Sequence, residues 1–498
     1  MKKFILLMLT ITLAALPVLS CAGDGGGQPH SPAETGEPGT EPGTTAEPGA
    51  GVMEVEEELT FPDLPNINFE GYDFRIMNTR AGAQGFILTQ LIAEEETGEA
   101  LNDAIFRRNR RMEDRFGFNV VEIGFNNPGQ VRDAARRSIQ AASDDFDLAM
   151  MQSIQALPLA QDGLFEMVDR IPHIDLTRPW WDQNMKRDLS IGNRLFFTSG
   201  DFSFNQYSVT IAILFNKELH EDLGLDCPYQ LVREGRWTVD RFAEQGRAAL
   251  RDLNGDGVFD QHDQFGLLAQ SNVSTLALMN GMGARYVVKD ADDLPVLNIN
   301  TEGFISRFLT MFDLLTEEWH LERNRPPGSL ANDQTMFFNN QALFWMELIN
   351  GASSFRAMET DFGIIPVPKL DEQQAYHISA TGHFHVMCIP VTTVDLARTG
   401  IILEALNAES RLTTLTVYYD TMLINQLMNR DEESGEMLDI IFANRVYETG
   451  RVFWDSNIAN PIAHAMRDMN RDIVSVIERH EAAAVVDIGR TIAAFLEN

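Results

Sequence analysis

The sequence predicts an α/β protein built as two lobes. Three observations lead there. Strand-like and helix-like patterns alternate along the body of the chain, and the alternation runs on for longer than one sheet absorbs. The chain has 498 residues, more than one ordinary core serves. Hydrophobic residues make up 44% and charged residues 22%, a balance that lets most of the chain pack as a normal globular interior.

In chain order, Met1-Lys2-Lys3 is basic and Phe4 to Leu19 is apolar apart from Thr and Pro, the order of an export signal over residues 1–20. The apolar stretch is short for a membrane span, which needs roughly 20 such residues. Val18-Leu19-Ser20-Cys21 resembles the lipobox of bacterial lipoproteins, which implies that Cys21 becomes a lipid-bearing N-terminus. An ordinary signal peptide ending near a cysteine is the alternative. Residues 21–60 follow as a tether of Gly, Pro, Glu, Thr and Ala, with too few large apolar side chains to offset ordering entropy. As a coil such a tether spans roughly 35 Å, and extended about 120 Å.

The body begins with Tyr72, Phe74 and Ile76 alternating as a strand does. Leu101, Ala104, Ile105, Met112 and Phe116 have helical spacing. Phe118 to Ile123 is a second strand, Val131 to Ala142 a second helix and Asp147 to Met151 a third strand. This βαβαβ run predicts a mostly parallel sheet. Strands are expected at Arg194 to Thr198, Val209 to Asn216, Ala342 to Phe344, Phe362 to Val367 and His385 to Pro390. Helices are expected at Thr238 to Arg251, with Phe242, Ala243, Gly246, Ala249 and Leu250 inward, and at Thr301 to Trp319, with Phe304, Ile305, Phe308, Phe312 and Leu315 inward. No internal repeat is visible.

The formal net charge is −34, and residues 22–74 hold 12 Asp or Glu with no Lys or Arg. A polyanion is repelled by phosphates, so nucleic acid is excluded as an expected partner. The three cysteines, Cys21, Cys227 and Cys388, form no disulfide framework and no C-x-x-C. Cys227 and Cys388 can pair or stay thiols, and their apolar or loop contexts favour buried thiols.

One local motif is strong. From Asp252 to Asp263, oxygen ligands fall at positions 1, 3, 5, 9 and 12 of a calcium loop: Asp252, Asn254, Asp256, Asp260 and Asp263. Val258 offers its carbonyl at position 7, and Gly257 falls where the loop turns sharply. Asp263 stands where Glu is usual, so bidentate coordination is less assured. A polar turn without metal is the alternative. No second loop occurs, which argues against an EF-hand pair or a dockerin, so the expected Ca2+ role is structural. His383 and His385 flank Phe384 with His377 nearby, and their alternation reads as an ordinary strand rather than a metal site.

Residues 98–116 resemble the first helix of a family of bacterial extracellular solute-binding lipoproteins that serve ABC importers. Asp147-Leu148-Ala149-Met150-Met151, followed by Leu159-Ala160-Gln161-Asp162-Gly163-Leu164, is similar to its third strand and the loop after it. Pro179-Trp180-Trp181-Asp182, Leu214-Phe215-Asn216-Lys217-Glu218-Leu219, Gly235-Arg236-Trp237-Thr238, Gln341-Ala342-Leu343-Phe344 and Asp361-Phe362-Gly363-Ile364-Ile365-Pro366-Val367-Pro368 continue the series in order. Each motif is weak alone; their order is specific, and carbohydrate-binding, maltose-binding-protein-like members match best. The resemblance implies a periplasmic-binding-protein type II fold with a ligand cleft between lobes. It places a first crossing near Gly200 to Val209, a return near Phe362 and a last crossing around 430–450. Lobe one is then 61–204 and 364–435, and lobe two 205–363 and 436–498.

The same resemblance implies a monomer on the outer face of the cell membrane that captures a solute and hands it to importer permease subunits. Sugars bind through aromatic faces and fans of polar side chains, so the candidate contacts are polar or aromatic residues at strand ends. These are Gln152, Ser153 and Gln155 in lobe one; Asp201, Asn205 and Tyr207 at the crossing; Trp345 and Glu347 in lobe two; and Trp454 with Asp455 in a late loop. For each Trp, core packing competes with ligand contact. Trp237 reads as structural, Trp180 and Trp181 as either, and Arg80 as a weaker candidate. No G-x-S-x-G, phosphate loop or H-E-x-x-H occurs. Binding without catalysis is therefore expected. A lipoprotein glycoside hydrolase, which needs only two carboxylates, and a wall-polymer adhesion protein are the alternatives.

Overall fold

The computed structural model describes residues 60–83, 89–322, 333–355, 357–420 and 433–497. The export signal, Cys21 and the tether as far as residue 59 lie outside the described residues. Two main sheets organise the body.

In the first sheet, β1 (Tyr72–Thr79) lies between β2 (Phe118–Phe125) and β3 (Leu148–Gln152), all parallel. Parallel neighbours need crossovers, supplied by α1 (Ala100–Phe116) and α2 (Pro128–Gln140). α1 starts where the Glu99 carboxylate accepts the N–H groups of Leu101 and Asn102. It ends at Gly117, whose φ is +65° and where a Cβ would sit 2.1 Å from Asn68 Oδ1. Its buried face carries Leu101, Ile105, Met112 and Phe116 with Arg108 among them. Arg108 donates to the carbonyls of Leu91 (2.6 Å) and Phe202 (3.1 Å) and to Ser410 Oγ (3.2 Å), and lies over the Phe202 ring.

The second sheet runs in the order β10 (Phe362–Ile365), β4 (Ile211–Asn216), β9 (Ala342–Leu348), β5 (Phe265–Ala269), β8 (His320–Glu322). β4 alone runs against its neighbours. A small hairpin, β6 (Val287–Lys289) with β7 (Pro295–Leu297), stands apart. The helix Val239–Ala249 packs against β5 through two glycines. A Cβ on Gly266 would fall 2.2 Å from the Gly246 carbonyl oxygen, and one on Gly246 would meet the Trp319 ring at 2.4 Å.

From β10 the chain passes through β11 (Ile378–Ser379) and enters the first sheet as β12 (His385–Cys388), antiparallel to β3. Later β13 (Arg445–Val446) pairs with β11, and Thr210 bridges Ala380. The segments leading from one sheet to the other thus lie side by side. The helix Ile473–Glu497 ends the chain, with Arg194 donating to the Phe495 carbonyl (2.7 Å) and Phe196 packed edge-on to Phe495. No helix among the described residues is long and apolar enough to cross a membrane.

The structure corrects three expectations. Residues 194–198 form only isolated bridges, because Leu195, Phe196 and Phe197 are all buried and do not alternate. Leu250 caps its helix half-buried rather than facing inward. Both cysteines are free, but Cys227 is exposed and only Cys388 is buried.

Behind the first sheet, Glu404 on the helix Leu396–Glu409 accepts the indole N–H of Trp180 (3.0 Å) and Trp181 (2.8 Å). Burial pushes its carboxyl up from 4.5 to about 7. The folded state therefore holds the proton more tightly than the unfolded chain. The stabilisation is complete below about 4.5 and is lost as pH rises through about 7. At about 1.36 kcal/mol per pH unit, the gap amounts to roughly 3 kcal/mol. Urea unfolding from pH 4 to 8 should show Glu404→Gln gaining on the wild type by about that amount; parallel curves would refute it.

Candidate functional site

Ligands of α/β sheets gather beyond the carboxyl ends of the strands. β3 ends at Gln152, which pairs across with His385. Ser153 N then donates to the Phe384 carbonyl at 2.9 Å. On the other sheet, β9 ends at Leu348, and Ile349 N donates to the Thr210 carbonyl at 2.9 Å. Thr381 N donates to Val209 O at 3.2 Å. The strand ends of both sheets are thereby tied to the segment 380–385.

A cavity of about 330 Å³ opens there. Gln270 and Asn272 enter it from the end of β5, Glu347 and Asn350 from the end of β9, and Thr381 and His383 from the approach to β12. Arg451 faces in from the helix Thr449–Phe453, held to Asp455 and, at 2.9 Å, to Asn460 Oδ1. Asn350 Nδ2 and His383 Nδ1 have no hydrogen-bond partner among the described residues although both are buried. Buried donors and acceptors are seldom left so. Burial, and then the Arg451 charge, holds His383 below the usual imidazole range, so it is neutral at pH 7.

The expected contacts divide. Glu347 lines this cavity. Gln152, the last residue of β3, is buried and is not among the residues that line it, and Ser153 and Gln155 lie on the helix Ser153–Gln161, not in a loop. Ser153 Oγ donates to the Gly382 carbonyl (3.0 Å), and Gln155 accepts from Arg132 (2.8 Å). Asn205 is fully buried and its Oδ1 accepts His385 N at 2.6 Å, a structural role. Asp201 and Tyr207 line a different cavity, joined by a 2.6 Å bond from the phenol to the carboxylate. Trp454 and Asp455 line a third, of about 370 Å³, with the Trp454 N–H on Thr491 Oγ1 (3.0 Å).

Trp345 is corrected to core. It is 1% exposed, its N–H donates to Asp333 at 3.0 Å, and its ring packs against Phe337 and Phe355. It supports the cavity from below: a Cβ on Gly351 would strike its ring at 2.6 Å. Trp237 is structural, donating to the Pro366 carbonyl at 2.9 Å. Arg80 is exposed and reaches Asn126. Gln270, Asn272, Asn350 and Arg451 were not foreseen. The signal for the first two was available in the apolar run Phe265–Ala269, a strand whose carboxyl end they follow.

In the loop 252–263 the side chains turn onto the loop's own amides. Asp252 accepts from Gly255 N (2.6 Å) and Gly257 N (2.9 Å), and Asn254 from Asp256 N (2.9 Å). Asp256 accepts from Val258 N (2.8 Å) and Asp260 from His262 N (2.9 Å). Asp263 is buried, with one oxygen on Leu253 N and the other on Asp260 N, both 2.9 Å. Among the described residues no group of three or more His, Cys, Asp or Glu side chains is placed to hold a metal ion. The position-12 carboxylate thus has both oxygens on backbone amides.

No family model matches the sequence, and no curated protein matches it. Solved structures do match. A cyclo/maltodextrin-binding protein complexed with maltotetraose superposes with a TM-score of 0.54 at 13% identity, over 84% of this chain and 96% of that one. The substrate-binding protein Lmo0181 from Listeria monocytogenes, in complex with cycloalternan, gives 0.53 at 11% identity, over 84% and 99%. The apo form of RafE from Streptococcus pneumoniae gives 0.53 at 12% identity, over 86% and 97%. The likeness establishes the fold: the chain has the two-lobe α/β architecture of type II periplasmic binding proteins.

Truncating a buried aromatic leaves a cavity, and here also removes the hydrogen bond to Asp333. Trp345→Ala should therefore lower stability by about 3–5 kcal/mol in denaturant unfolding. A change below about 1 kcal/mol would return this ring to the list of ligand contacts.

Proposed function

We propose that this chain is the substrate-binding lipoprotein of an ABC importer, capturing an extracellular sugar or oligosaccharide by closure of its two lobes. The observation that carries the reading is the cavity, lined mostly by polar residues, that forms where the strand ends of both sheets meet. A hydroxyl both donates and accepts, and Gln270, Asn272, Glu347, Asn350 and Arg451 offer both functions. Several fold relatives were solved with sugars bound, maltotetraose and cycloalternan among them, which supports the same class here. Contacts from both sides are complete only when the lobes close, so ligand favours the closed state. Among the described residues that line the cavity Glu347 alone carries a carboxylate, whereas glycoside hydrolysis uses two, and binding without turnover is the reading.

Lipidation at Cys21, with residues 21–60 as the tether to the outer face of the membrane, is part of the proposal. It rests on the order of basic, apolar and Val18-Leu19-Ser20-Cys21 segments. A structural Ca2+ at Asp252, Asn254, Asp256, Val258, Asp260 and Asp263 rests on their spacing alone. If it binds, chelator lowers the melting temperature of the wild type and leaves Asp252→Ala/Asp256→Ala unchanged. An unresponsive wild type leaves the loop to its amide turns.

A thermal-shift screen of maltooligosaccharides and other sugars should yield a ligand that raises the melting temperature, since it binds only the folded state. Small-angle scattering should then show contraction on saturation. Asn350→Ala should weaken affinity about tenfold, near 1.4 kcal/mol, with stability little changed. Steady conversion of the sugar, or unchanged dimensions at saturation, would defeat the reading. In a host that lipidates, Cys21→Ala should leave the membrane fraction.

A further inference from the structure

Among the described residues Arg451 is the one arginine or lysine that lines the solute cavity, and it is held there by a ring of three side chains. Nη1 donates to Asp455 and, at 2.9 Å, to Asn460 Oδ1. Asn460 Nδ2 donates to the other Asp455 oxygen at 2.7 Å and closes the ring. The backbone sets this up. Arg451 stands in the helix Thr449–Phe453, and Asp455 follows four residues later. Asn460 N donates to the Asp455 carbonyl at 2.8 Å as the next helix, Ala459–Arg467, begins.

The two partners act differently. Asn460 is uncharged and fixes where the guanidinium lies. Asp455 fixes it and also balances its charge. The Arg451 and Asp455 side chains are 17% and 30% exposed, so water and salt screen the pair only in part. Asp455 is not among the residues lining the solute cavity; it lines the groove beside the helix Ser153–Gln161. Its charge is nevertheless felt on the cavity wall. At His383, burial and then Arg451 lower the imidazole, and Asp455 acts in the opposite direction.

We propose that Asp455 determines specificity: by holding and neutralising Arg451, it makes the cavity select uncharged, hydroxyl-bearing solutes over acidic sugars. The inference rests on the reading of this cavity as the solute site. An arginine without a carboxylate partner on a binding wall is a receptor for carboxylate and phosphate. Here a carboxylate of the same chain already occupies the guanidinium, and its local concentration is fixed by the short tether. An acidic solute must displace Asp455 and break the ring, or lie beside it as a second negative charge. Glu347 brings a further carboxylate to the cavity wall. A hydroxyl oxygen accepts an N–H without adding charge and meets neither penalty. Asp455 thus acts through Arg451, a positioning role in place of the direct solute contact expected from its loop.

Isothermal titration of the full chain at pH 7 with matched neutral and acidic sugars tests it: galactose with galacturonate, glucose with glucuronate, and maltose with maltobionate. Wild type should bind the neutral member of at least one pair at least tenfold tighter than its acid. Asp455→Asn, which keeps the shape of the side chain, should move that ratio at least tenfold towards the acid. Asp455→Glu, which keeps the charge, should hold it near the wild-type value. Adding Arg451→Met to Asp455→Asn should erase the shift, which a general loosening of the loop would not do. Where circular dichroism shows Asp455→Asn unfolded, Asp455→Ser takes its place. The inference is overturned by wild type binding no neutral member or preferring an acid, by an unchanged ratio in Asp455→Asn, or by a shift that persists without Arg451. In each of these cases a sugar found in the thermal-shift screen leaves the importer reading standing, and the lack of any such sugar defeats both.

Discussion

Three stretches of backbone hydrogen-bonded edge to edge hold this molecule together. Ile378 N donates to Asn444 O (2.9 Å), Ala380 N to Val446 O (3.2 Å), and Thr381 N to Val209 O (3.2 Å). A segment passing between two sheets belongs to neither ladder, yet its amides are buried and need partners. Pairing the crossings with one another meets that need with few bonds. The paired crossings are where a hinge between the two lobes can act. The orientation of both sheets follows from it. β4 and β12, the strands that enter each sheet directly from a crossing, are the ones running antiparallel.

Buried charge fixes those crossings in register. Asp182 caps the start of the helix Gln183–Leu189 and Asp188 lies in its last turn. Asp182 takes Arg445 and Tyr447 Oη (2.5 Å), and Asp188 takes Tyr447 N (2.9 Å). From the other side Arg285 donates to Glu448 at 2.9 Å and lies 3.6 Å from Asp188. Burial raises the Glu448 carboxyl and the Arg285 charge counters it. Losing one member of such a set strands its partner in a low-dielectric interior, at about 3–5 kcal/mol. The set is therefore a specification of geometry more than a source of net stability. Its residues lie some distance apart in sequence and no periodicity links them.

That distance marks what was legible in the sequence. The βαβαβ run of the first sheet was readable because each element is amphipathic or apolar over its own length. α1 shows it best, with Leu101, Ile105, Met112 and Phe116 on one buried stripe. The stretch 194–198 misled because an apolar run buried by tertiary contacts looks like a strand whether or not a ladder forms. The tryptophans misled for a related reason. An indole looks the same on a ligand face and in a core, and what separates the two is the acceptor its N–H finds. For Trp345 that is Asp333, for Trp454 it is Thr491, and for Trp180 and Trp181 it is Glu404. Those acceptors are set by the fold. Glu347 was legible because it ends a recognisable strand; Arg451 was not, because it reaches the cavity from a helix.

The interlobe cavity has a consequence for how a solute would be held. Among the described residues no Phe, Tyr or Trp side chain lines it. The nearest indole, Trp345, lies under Gly351 and presents no face. Specific contact there comes from hydrogen bonds to groups such as Asn350 and Arg451, which gain more in a closed, dry cavity than in water. Such bonds are nearly neutral in exchange while water can still reach the site. Closure and recognition are then one event: excluding water makes the polar wall adhesive, and the ligand's hydroxyls make closure tolerable for the groups it buries. A hydroxyl-rich solute suits that arrangement because it satisfies donors and acceptors alike, whereas an apolar one would leave them stranded.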